Sequence, residues 1–284
     1  MMFPRRCLIF TLDITEILAV SNFTTIAPNY RQTATLQKSA SERLHALLQI
    51  SRTDNVLDLG CGTGHLTQAI RAQTDGTVVG VDPSEGMIAE AMRNHGKEIE
   101  FHVGSAEALD MPLQFDAIFC NSAFQWFREP ERAIANCHAA LRPGGRMVIQ
   151  APARKDYCPN FILAVDSLKE DCRTRNEYSR FRSPWLFLET AQDYAGLFAR
   201  AGFTVQTAEI ESVRQRCSPA KVFEMFESGA AAGYLNPDCY DLPLPPGYLA
   251  DAREVIARNF QSQAGADGQV ELLFFRIYLL ARKP

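Results

Sequence analysis

The chain has 284 residues, of which 46% are apolar and 22% are charged, and this composition is typical of a folded globular protein. A formal net charge of −4 argues against nucleic acid or an anionic membrane as a partner, because either would favour a basic protein. No stretch approaches the ~20 uninterrupted apolar residues of a transmembrane helix, so none is predicted.

Eight cysteines are scattered along the chain, and no two of them have the C-x-x-C spacing of a zinc or redox site. We therefore expect reduced, mostly buried thiols in a cytoplasmic protein, and no bound metal. Near the N-terminus, the apolar run 7–12 follows two arginines as in a signal peptide, but Asp13 and Glu16 interrupt it. We predict an N-terminal extension over 1–27, followed by one domain over 28–284.

The most informative segment is Val56–Gly64, in which an apolar run of the β type leads into three alternating glycines. Gly60, Gly62 and Gly64 can adopt the backbone conformations of a tight turn, and Leu66 opens a helical pattern behind them. A nucleotide-like ligand can approach the bare backbone of such a turn and accept hydrogen bonds from its amide groups. The segment therefore predicts a strand, a ligand-binding turn and the start of a helix.

The glycine spacing separates two classes of nucleotide-binding protein. A dinucleotide-binding turn has the pattern G-x-G-x-x-G, but the sixth position counted from Gly60 is His65. The pattern D-x-G-x-G-x-G, which begins at Asp58, resembles the first motif of class I S-adenosylmethionine-dependent methyltransferases. S-adenosylmethionine carries a sulfonium and an ammonium, so a carboxylate such as Asp58 beside the turn can face a cation. A nicotinamide-dependent oxidoreductase remains the alternative from another class.

Downstream of the turn, short β-type runs alternate with helical patterns. Strands are predicted at 55–59, 77–82, 99–104, 115–121, 146–151, 204–212 and 269–283, and helices at 65–72, 84–94, 129–141 and 191–201. Ser84 is expected to cap the second helix, and the Arg-Pro-Gly-Gly sequence at 142–145 ends the third. This alternation predicts an α/β fold: a doubly wound, Rossmann-like, mostly parallel sheet of seven strands.

Two segments interrupt the alternation, at about 152–190 and 213–265, and both are richer in aromatic residues, arginine and proline. We refer to them as the first and second insertions, and we predict that together they form a helical cap. Ligands of open α/β sheets bind at the carboxyl ends of the strands, so we expect the cap to lie there.

The resemblance to class I methyltransferases extends beyond the glycine motif. Asp82 ends the second predicted strand, and the resemblance implies that its carboxylate accepts both ribose hydroxyls of S-adenosylmethionine. It also places Pro83 in the cofactor site and Met87 on the adenine face. Ser105 and Ala106 match the loop that holds the adenine edge, although the family often has aspartate at the position of Ser105.

The Asn-Ser-Ala-Phe-Gln-Trp segment at the end of the fourth strand is similar to trans-aconitate methyltransferases and to the malonyl-carrier-protein methyltransferases of biotin synthesis. The resemblance implies that Asn121 meets the methionine part of the cofactor, while Gln125 and Trp126 face the transferred methyl group. An aromatic face there suits a sulfonium. Upstream, Tyr30 and Gln37 resemble residues of an N-terminal helix that closes over the site, Tyr30 toward the substrate and Gln37 toward the cofactor.

No Ser/His/Asp or Cys/His constellation and no metal-ligand cluster stands out in the sequence, so no residue is assigned as a general base. A carboxylate acceptor needs none, because a carboxyl group with a pKa of about 4 is already ionised at neutral pH. Such a substrate does need a cationic partner in its pocket. The candidates are four arginines: Arg128, Arg180, Arg182 and Arg276.

We therefore predict an S-adenosylmethionine-dependent methyltransferase that forms a methyl ester on a small carboxylic acid and acts as a monomer or homodimer. C- or O-methylation of a quinone or another aromatic precursor is the alternative within transfer chemistry, since an aromatic cap suits a flat acceptor. A non-catalytic partner protein that binds S-adenosylmethionine is a further alternative.

Overall fold

The computed structural model describes the backbone of residues 35–284 and the side chains of residues 41–284. Seven strands of this part form one sheet: β1 (Val56–Leu59), β2 (Val78–Asp82), β3 (Glu100–Val103), β4 (Phe115–Asn121), β5 (Leu141–Pro152), β6 (Thr204–Cys217) and β7 (Val270–Arg282). The strand order is β3-β2-β1-β4-β5-β7-β6, and only β7 runs antiparallel to its neighbours. The predicted seven-stranded, mostly parallel α/β sheet is confirmed.

Helices cover both faces of this sheet. Those in the described part are α1 (Thr35–Leu48), α2 (His65–Arg71), α3 (Glu85–His95), α4 (Pro130–Ala140), α5 (Pro159–Asp166), α6 (Arg175–Tyr178), α7 (Ala191–Arg200), α8 (Pro219–Glu227), α9 (Ala231–Tyr234) and α10 (Tyr248–Ser262). Helices α1, α2 and α3 bury apolar residues against one face, and α4 and α7 against the other, as a doubly wound fold requires. None of the helices within 35–284 combines the length and apolarity needed to cross a membrane.

The strands and helices lie close to their predicted bounds, and β4 begins and ends at the predicted residues. Ser84 caps α3 as expected, because its Oγ accepts a hydrogen bond from the Met87 amide (3.3 Å).

Two strands each extend five residues beyond one of their predicted bounds. β6, expected to end at 212, continues to Cys217. β5, expected to begin at 146, begins at Leu141, which pairs with Phe115 of β4. The segment 142–145 therefore lies in the strand, and the preceding helix already ends at Ala140.

The extra length of β6 belongs to an antiparallel ribbon that extends past the rest of the sheet. β5 pairs with β7 as far as Pro152, opposite Arg276, whereas β7 pairs with β6 from Val270 to Arg282. The segment 213–217, predicted to start the second insertion, is therefore strand, because β7 offers it a partner for its backbone hydrogen bonds.

The two insertions and the ribbon share one apolar cluster, which is distinct from the two clusters on the faces of the sheet. Phe161 of the first insertion contacts Phe226 and Phe260 of the second, with ring centroids 5.4 and 5.6 Å apart. It also contacts Phe274 of β7, at 5.5 Å. The insertions thus pack together on the ribbon, and we propose that this unit is the predicted cap.

Arg146 of β5 ties the carboxyl end of α1 to the sheet. Its guanidinium donates to the carbonyl oxygens of Leu48 (2.6 Å) and Gln49 (2.7 Å) and to the Asp54 carboxylate (2.6 Å). Burial alone would raise the pKa of Asp54, but hydrogen bonds from Ser51 and the charge of Arg146 outweigh burial and hold the pKa below its ordinary value. This nearly buried ion pair fixes the start of the described chain against β5.

Replacing Arg146 by methionine should lower the free energy of unfolding near neutral pH by about 3–5 kcal/mol, because it leaves the Asp54 carboxylate buried without its cation. The folded-state pKa of Asp54 is depressed, so its stabilising effect is present above the unfolded pKa and is lost as the pH falls through the folded value. Urea unfolding near neutral pH and near pH ~2 should therefore show a loss that shrinks in acid.

The matched control is Arg142→Met, on the same strand. Its partner Asp116 is more exposed than Asp54, at 28% against 10% for the side chains, so the cost should be about 1 kcal/mol or less. Equal losses in the two variants would contradict this account of the Arg146 ion pair.

Candidate functional site

The glycine turn after β1 holds all three glycines in the left-handed region, with φ of +78°, +53° and +77° at Gly60, Gly62 and Gly64. A Cβ on Gly60 would lie 2.2 Å from Cβ of Ala123, and one on Gly64 would lie 2.8 Å from Cζ of Phe101. A Cβ on Gly62 would meet nothing within 4 Å. The outer two glycines are therefore required by close packing, whereas Gly62 borders open space that a ligand could occupy.

Asp82 ends β2 directly beside this turn. Its Oδ2 accepts a hydrogen bond from the Gly62 amide (2.9 Å), and its Oδ1 accepts one from the Ser84 amide (2.9 Å). Each carboxylate oxygen keeps a second lone pair, so the half-buried side chain could still accept two adjacent hydroxyls. Burial raises the pKa of Asp82 to about 6, against the lowering effect of the two amides.

Asp58 lies beneath the turn and is only 2% exposed. Its Oδ2 accepts a hydrogen bond from the Thr67 hydroxyl (2.7 Å) of α2. Burial raises the pKa of Asp58 to about 7; the Thr67 hydrogen bond opposes this, and the nearby charge of Asp82 adds to it. At neutral pH Asp82 is therefore mostly ionised and Asp58 about half ionised, and a cationic ligand beside the turn would favour the ionised form of both.

The residues matched to the adenine side lie after β2 and β3, which are adjacent parallel strands. Pro83 is exposed, whereas Met87 is buried in the first turn of α3. The Oγ of Ser105 accepts a hydrogen bond from the amide of residue 108 (3.3 Å), and Ala106 is buried beside it. The structure thus brings these residues to the same edge of the sheet as Asp82.

The end of β4 carries two buried acceptors without a partner. The Oδ1 of Asn121 and the Oε1 of Gln125 are buried, and neither has a hydrogen bond within the described part of the chain. Such atoms cost free energy unless a ligand satisfies them. Both are acceptors, so they fit a group with N–H or O–H donors, such as the ammonium of S-adenosylmethionine.

Ser122 connects these two residues in a strained conformation, with φ of +57°. Its amide donates to the Gln150 carbonyl (2.7 Å), and its hydroxyl donates to Gln150 Oε1 (3.0 Å). Its own carbonyl accepts from Gln125 Nε2 (2.9 Å). These hydrogen bonds hold the loop in one conformation at the end of the sheet.

A cavity of about 160 Å³ borders this loop. Ser122, Gln125 and Gln150 form one side of it, and aromatic side chains line much of the rest, including both tryptophans of the chain, Trp126 and Trp185. Their indole rings meet edge to face, with centroids 5.5 Å apart. The cavity is therefore mostly apolar with a polar side toward the proposed cofactor site.

Arg276 is the charged member among the described residues that line the cavity. It is 8% exposed, donates a hydrogen bond to Tyr278, and has its guanidinium carbon 5.6 Å from the centroid of the Phe274 ring. Burial lowers the pKa of Arg276 from its ordinary value, although the nearby Tyr278 opposes this. An arginine remains charged nonetheless, so the cavity offers one cation to a bound molecule.

The other candidate arginines do not line the cavity. Arg128 is exposed, and Arg182 is exposed and pairs with Asp241 (2.6 Å). Arg180 is half-buried, and its carbonyl accepts from the Asp241 amide (3.2 Å). Gln125 and Trp126, in contrast, both border the cavity, and their place beside the transferred methyl group stays a prediction.

Two predicted residues, Tyr30 and the side chain of Gln37, lie outside the described residues. Conversely, sequence reasoning missed Gln150 and Trp185, which the fold brings to the cavity. The signal for Gln150 was a single amide inside the otherwise apolar run 147–151, and it is 2% exposed in the structure. Trp185 carried no comparable signal, because aromatic residues are common throughout the first insertion.

Comparison with known proteins identifies the class. A family model described as a methyltransferase domain matches residues 32–208. Trans-aconitate 2-methyltransferase of Deinococcus radiodurans is 33% identical over 48% of this chain and 52% of its own length. Malonyl-[acyl-carrier protein] O-methyltransferase of Calditerrivibrio nitroreducens is 31% identical over 57% of this chain and 64% of its own length.

The chain thus spans about half to two-thirds of these two relatives. A trans-aconitate 2-methyltransferase from Methylobacterium nodulans aligns over 90% of this chain and 97% of its own length, at 24% identity. Among solved structures, the YcgJ protein of Bacillus subtilis has a TM-score of 0.57 at 16% identity and covers 87% of this chain and 98% of its own.

A second solved structure shares the fold: phosphoethanolamine N-methyltransferase 2 of Haemonchus contortus, in complex with phosphomonomethylethanolamine and S-adenosylhomocysteine. Its TM-score is 0.57 at 17% identity, over 96% of this chain and 61% of its own. The fold and the glycine turn define a class I methyltransferase. The chain belongs to the methyltransferase-domain family, with S-adenosylmethionine as its cofactor. This family membership replaces the nicotinamide-dependent alternative.

The affinity for S-adenosylmethionine should depend on pH through Asp82. Its pKa is about 6, and only the ionised carboxylate accepts two hydroxyls, so the dissociation constant should rise as the pH falls below that value. The dissociation constant should rise by at most tenfold for each pH unit, which corresponds to a loss of about 1.4 kcal/mol in binding free energy. Titration calorimetry between about pH 5 and 8 measures it.

At the alkaline end of this pH range, Asp82→Asn should weaken the binding free energy of S-adenosylmethionine by about 1–3 kcal/mol. The dissociation constant of this variant should also depend less on pH. The control Asp75→Asn changes an exposed carboxylate before the amino end of β2. It should leave the pH dependence of the dissociation constant unchanged. A wild-type dissociation constant that is constant over this range would remove Asp82 from the cofactor site.

Gly233 of α9 controls the position of Trp185. A Cβ on Gly233 would lie 2.2 Å from Cζ2 of the Trp185 indole, so Gly233→Ala should displace this ring. Because both tryptophans of the chain line the cavity, the intrinsic fluorescence reports on it directly. We expect a shifted emission spectrum with unchanged affinity for S-adenosylmethionine.

The control for this variant is Gly196→Ala in α7, where the added Cβ would meet only Nη1 of Arg200 at 3.4 Å. Its emission spectrum should match that of the wild type. If Gly233→Ala also left the spectrum unchanged, the packing of Trp185 against α9 would be wrong.

Proposed function

We propose that this protein transfers the methyl group of S-adenosylmethionine to a carboxylate oxygen of a small acid. The observation that carries the proposal is Arg276, a buried cation on the wall of an apolar cavity that also borders Gln125 and Ser122. A guanidinium in such a setting matches the two oxygens of a carboxylate. Two relatives named for trans-aconitate and malonyl-[acyl-carrier protein], both of which carry free carboxylates, support the same acceptor chemistry.

The reaction asks little acid–base chemistry of the protein. S-adenosylmethionine supplies a methyl group on a positively charged sulfur, which is already a good leaving group. A carboxylate oxygen forms the new bond to the methyl carbon as the carbon–sulfur bond breaks and its electron pair remains on sulfur; no proton is transferred. The residues around the cavity then contribute by alignment and by exclusion of water.

An acceptor that must lose a proton fits less well. The described residues that line the cavity include no histidine, aspartate, glutamate or lysine side chain. Tyr157 lines it, but burial raises its pKa well above the ordinary value, so the phenol stays protonated at neutral pH. A quinone precursor or a phenol would therefore find no base among these described lining residues.

The test is the chemical stability of the product. The purified protein, incubated with S-adenosylmethionine and a mixture of small acids and phenols, should yield methyl esters that hydrolyse in mild base. Arg276→Gln should lower kcat/KM for the acid, because it removes the charge opposite a buried carboxylate. The decrease should correspond to a loss of about 2–5 kcal/mol in transition-state stabilisation. Calorimetry should show that the variant still binds S-adenosylmethionine.

The control is Arg282→Gln, at the exposed end of the same strand, which should retain full activity. A base-stable product, such as an aryl ether or a C-methyl compound, would overturn the proposal. So would an Arg276→Gln variant with unchanged kcat/KM.

A further inference from the structure

Resting on the proposed carboxylate methylation, we propose that the acceptor carries a single carboxylate on a flat, unsaturated, apolar body. The carboxylate pairs with Arg276, and the body lies along the aromatic wall formed by Trp126, Trp185, Phe187 and Tyr157. This substrate class differs from the tricarboxylate and the protein-bound thioester for which the relatives are named.

The charge of the cavity limits the number of carboxylates. Arg276 is its one charged side chain among the described residues, and the remaining lining is aromatic, aliphatic or neutral polar. One carboxylate neutralises this cation, whereas a second or third would find no further cation among the described residues that line the cavity. Because an unpaired buried charge is costly, a polycarboxylate such as trans-aconitate should bind poorly.

Three of the four rings lie nearly parallel to their neighbours, whereas Trp126 meets Trp185 edge to face. Trp185 stacks on Phe187 with centroids 5.9 Å apart and an interplanar angle of 30°. Phe187 stacks in turn on Tyr157, at 5.0 Å and 26°. The backbone next to Trp185 is anchored, since the Leu186 amide donates to the Gln125 carbonyl (2.8 Å). An unsaturated ring of the acceptor can make offset-stacked or edge-to-face contacts with these rings, and a saturated ring cannot.

Sheet register places Arg276 within reach of the loop at the end of β4. Gln150 pairs with Tyr278 and Pro152 pairs with Arg276, so Gln150 and Arg276 are diagonal neighbours. Such neighbours have Cα atoms about 7–8 Å apart, which is within reach of a long side chain, and both residues line the cavity. A carboxylate on Arg276 therefore lies near Gln150, which is bonded to Ser122 on the cofactor side.

The size of the cavity agrees with a ring plus a short chain. Its volume of about 160 Å³ is close to that of a cavity that accommodates one benzene molecule, about 150 Å³. The aromatic ring of an arylalkenoic acid would therefore occupy it, and the short chain would lead to the carboxylate at Arg276. Once methylated, the neutral ester no longer pairs with this arginine, which favours its release.

The experiment compares three acids at saturating S-adenosylmethionine: trans-cinnamate, 3-cyclohexylpropanoate and trans-aconitate. The first two have the same number of carbons and one carboxylate each, but only cinnamate is planar. We expect kcat/KM for cinnamate to exceed that for the saturated acid about tenfold. It should exceed that for trans-aconitate by at least about 100-fold.

Trp185→Leu tests the wall. This substitution should remove most of the difference in kcat/KM between cinnamate and 3-cyclohexylpropanoate. It should change kcat/KM for the saturated acid by less than about threefold. The control Phe223→Leu replaces an aromatic residue of the second insertion that does not line the cavity, and should preserve the ratio. Unchanged calorimetric affinity for S-adenosylmethionine shows that each variant is folded.

The outcomes separate the inference from the function on which it rests. Equal rates for cinnamate and the saturated acid overturn the planar body, and efficient esterification of trans-aconitate overturns the single carboxylate. In both cases carboxylate methylation itself survives. Methylation of phenols or quinones without any acid would overturn the inference and the proposed function together.

Discussion

The hydrogen bond from the Gly62 amide to the Asp82 carboxylate is the contact on which the candidate site depends. It forms because β1 and β2 are adjacent and parallel, so the turn after one strand and the acid at the end of the other emerge at the same edge. The amides of Gly60 and Cys61 both donate to the Val81 carbonyl, which pins the turn to β2. The open space beside Gly62 and the buried charge below it follow from this arrangement.

The cavity proposed to bind the methyl acceptor depends on a second feature, the unequal lengths of the strands. β7 continues beyond β5, so Arg276 lies at the point where the sheet narrows to a two-stranded ribbon. The two insertions fold onto this ribbon and enclose the space above it with aromatic side chains. Ser122, held in its strained conformation by Gln150, lines the cavity and directly follows Asn121, the residue proposed to meet the cofactor.

Sequence patterns predicted the sheet because its signals are local. Three glycines, the acid Asp82 and the N-cap Ser84 each act within a few residues, and their positions agree with the structure. The cavity was harder to predict, because register and side-chain packing between distant segments create it. Four arginines looked equivalent in the sequence, and only the pairing of β5 with β7 distinguishes Arg276 from the other three. Trp185 reaches the cavity through contacts with α9, about fifty residues further along the chain, which no short pattern encodes.

The most direct test of this account is a crystal structure of the protein with S-adenosylhomocysteine. The account predicts both ribose hydroxyls within hydrogen-bond distance of Asp82, and the thioether sulfur turned past Asn121 toward the cavity that contains Trp126 and Arg276. A cofactor that lies away from Asp82, or whose sulfur faces bulk solvent instead of this cavity, would contradict it.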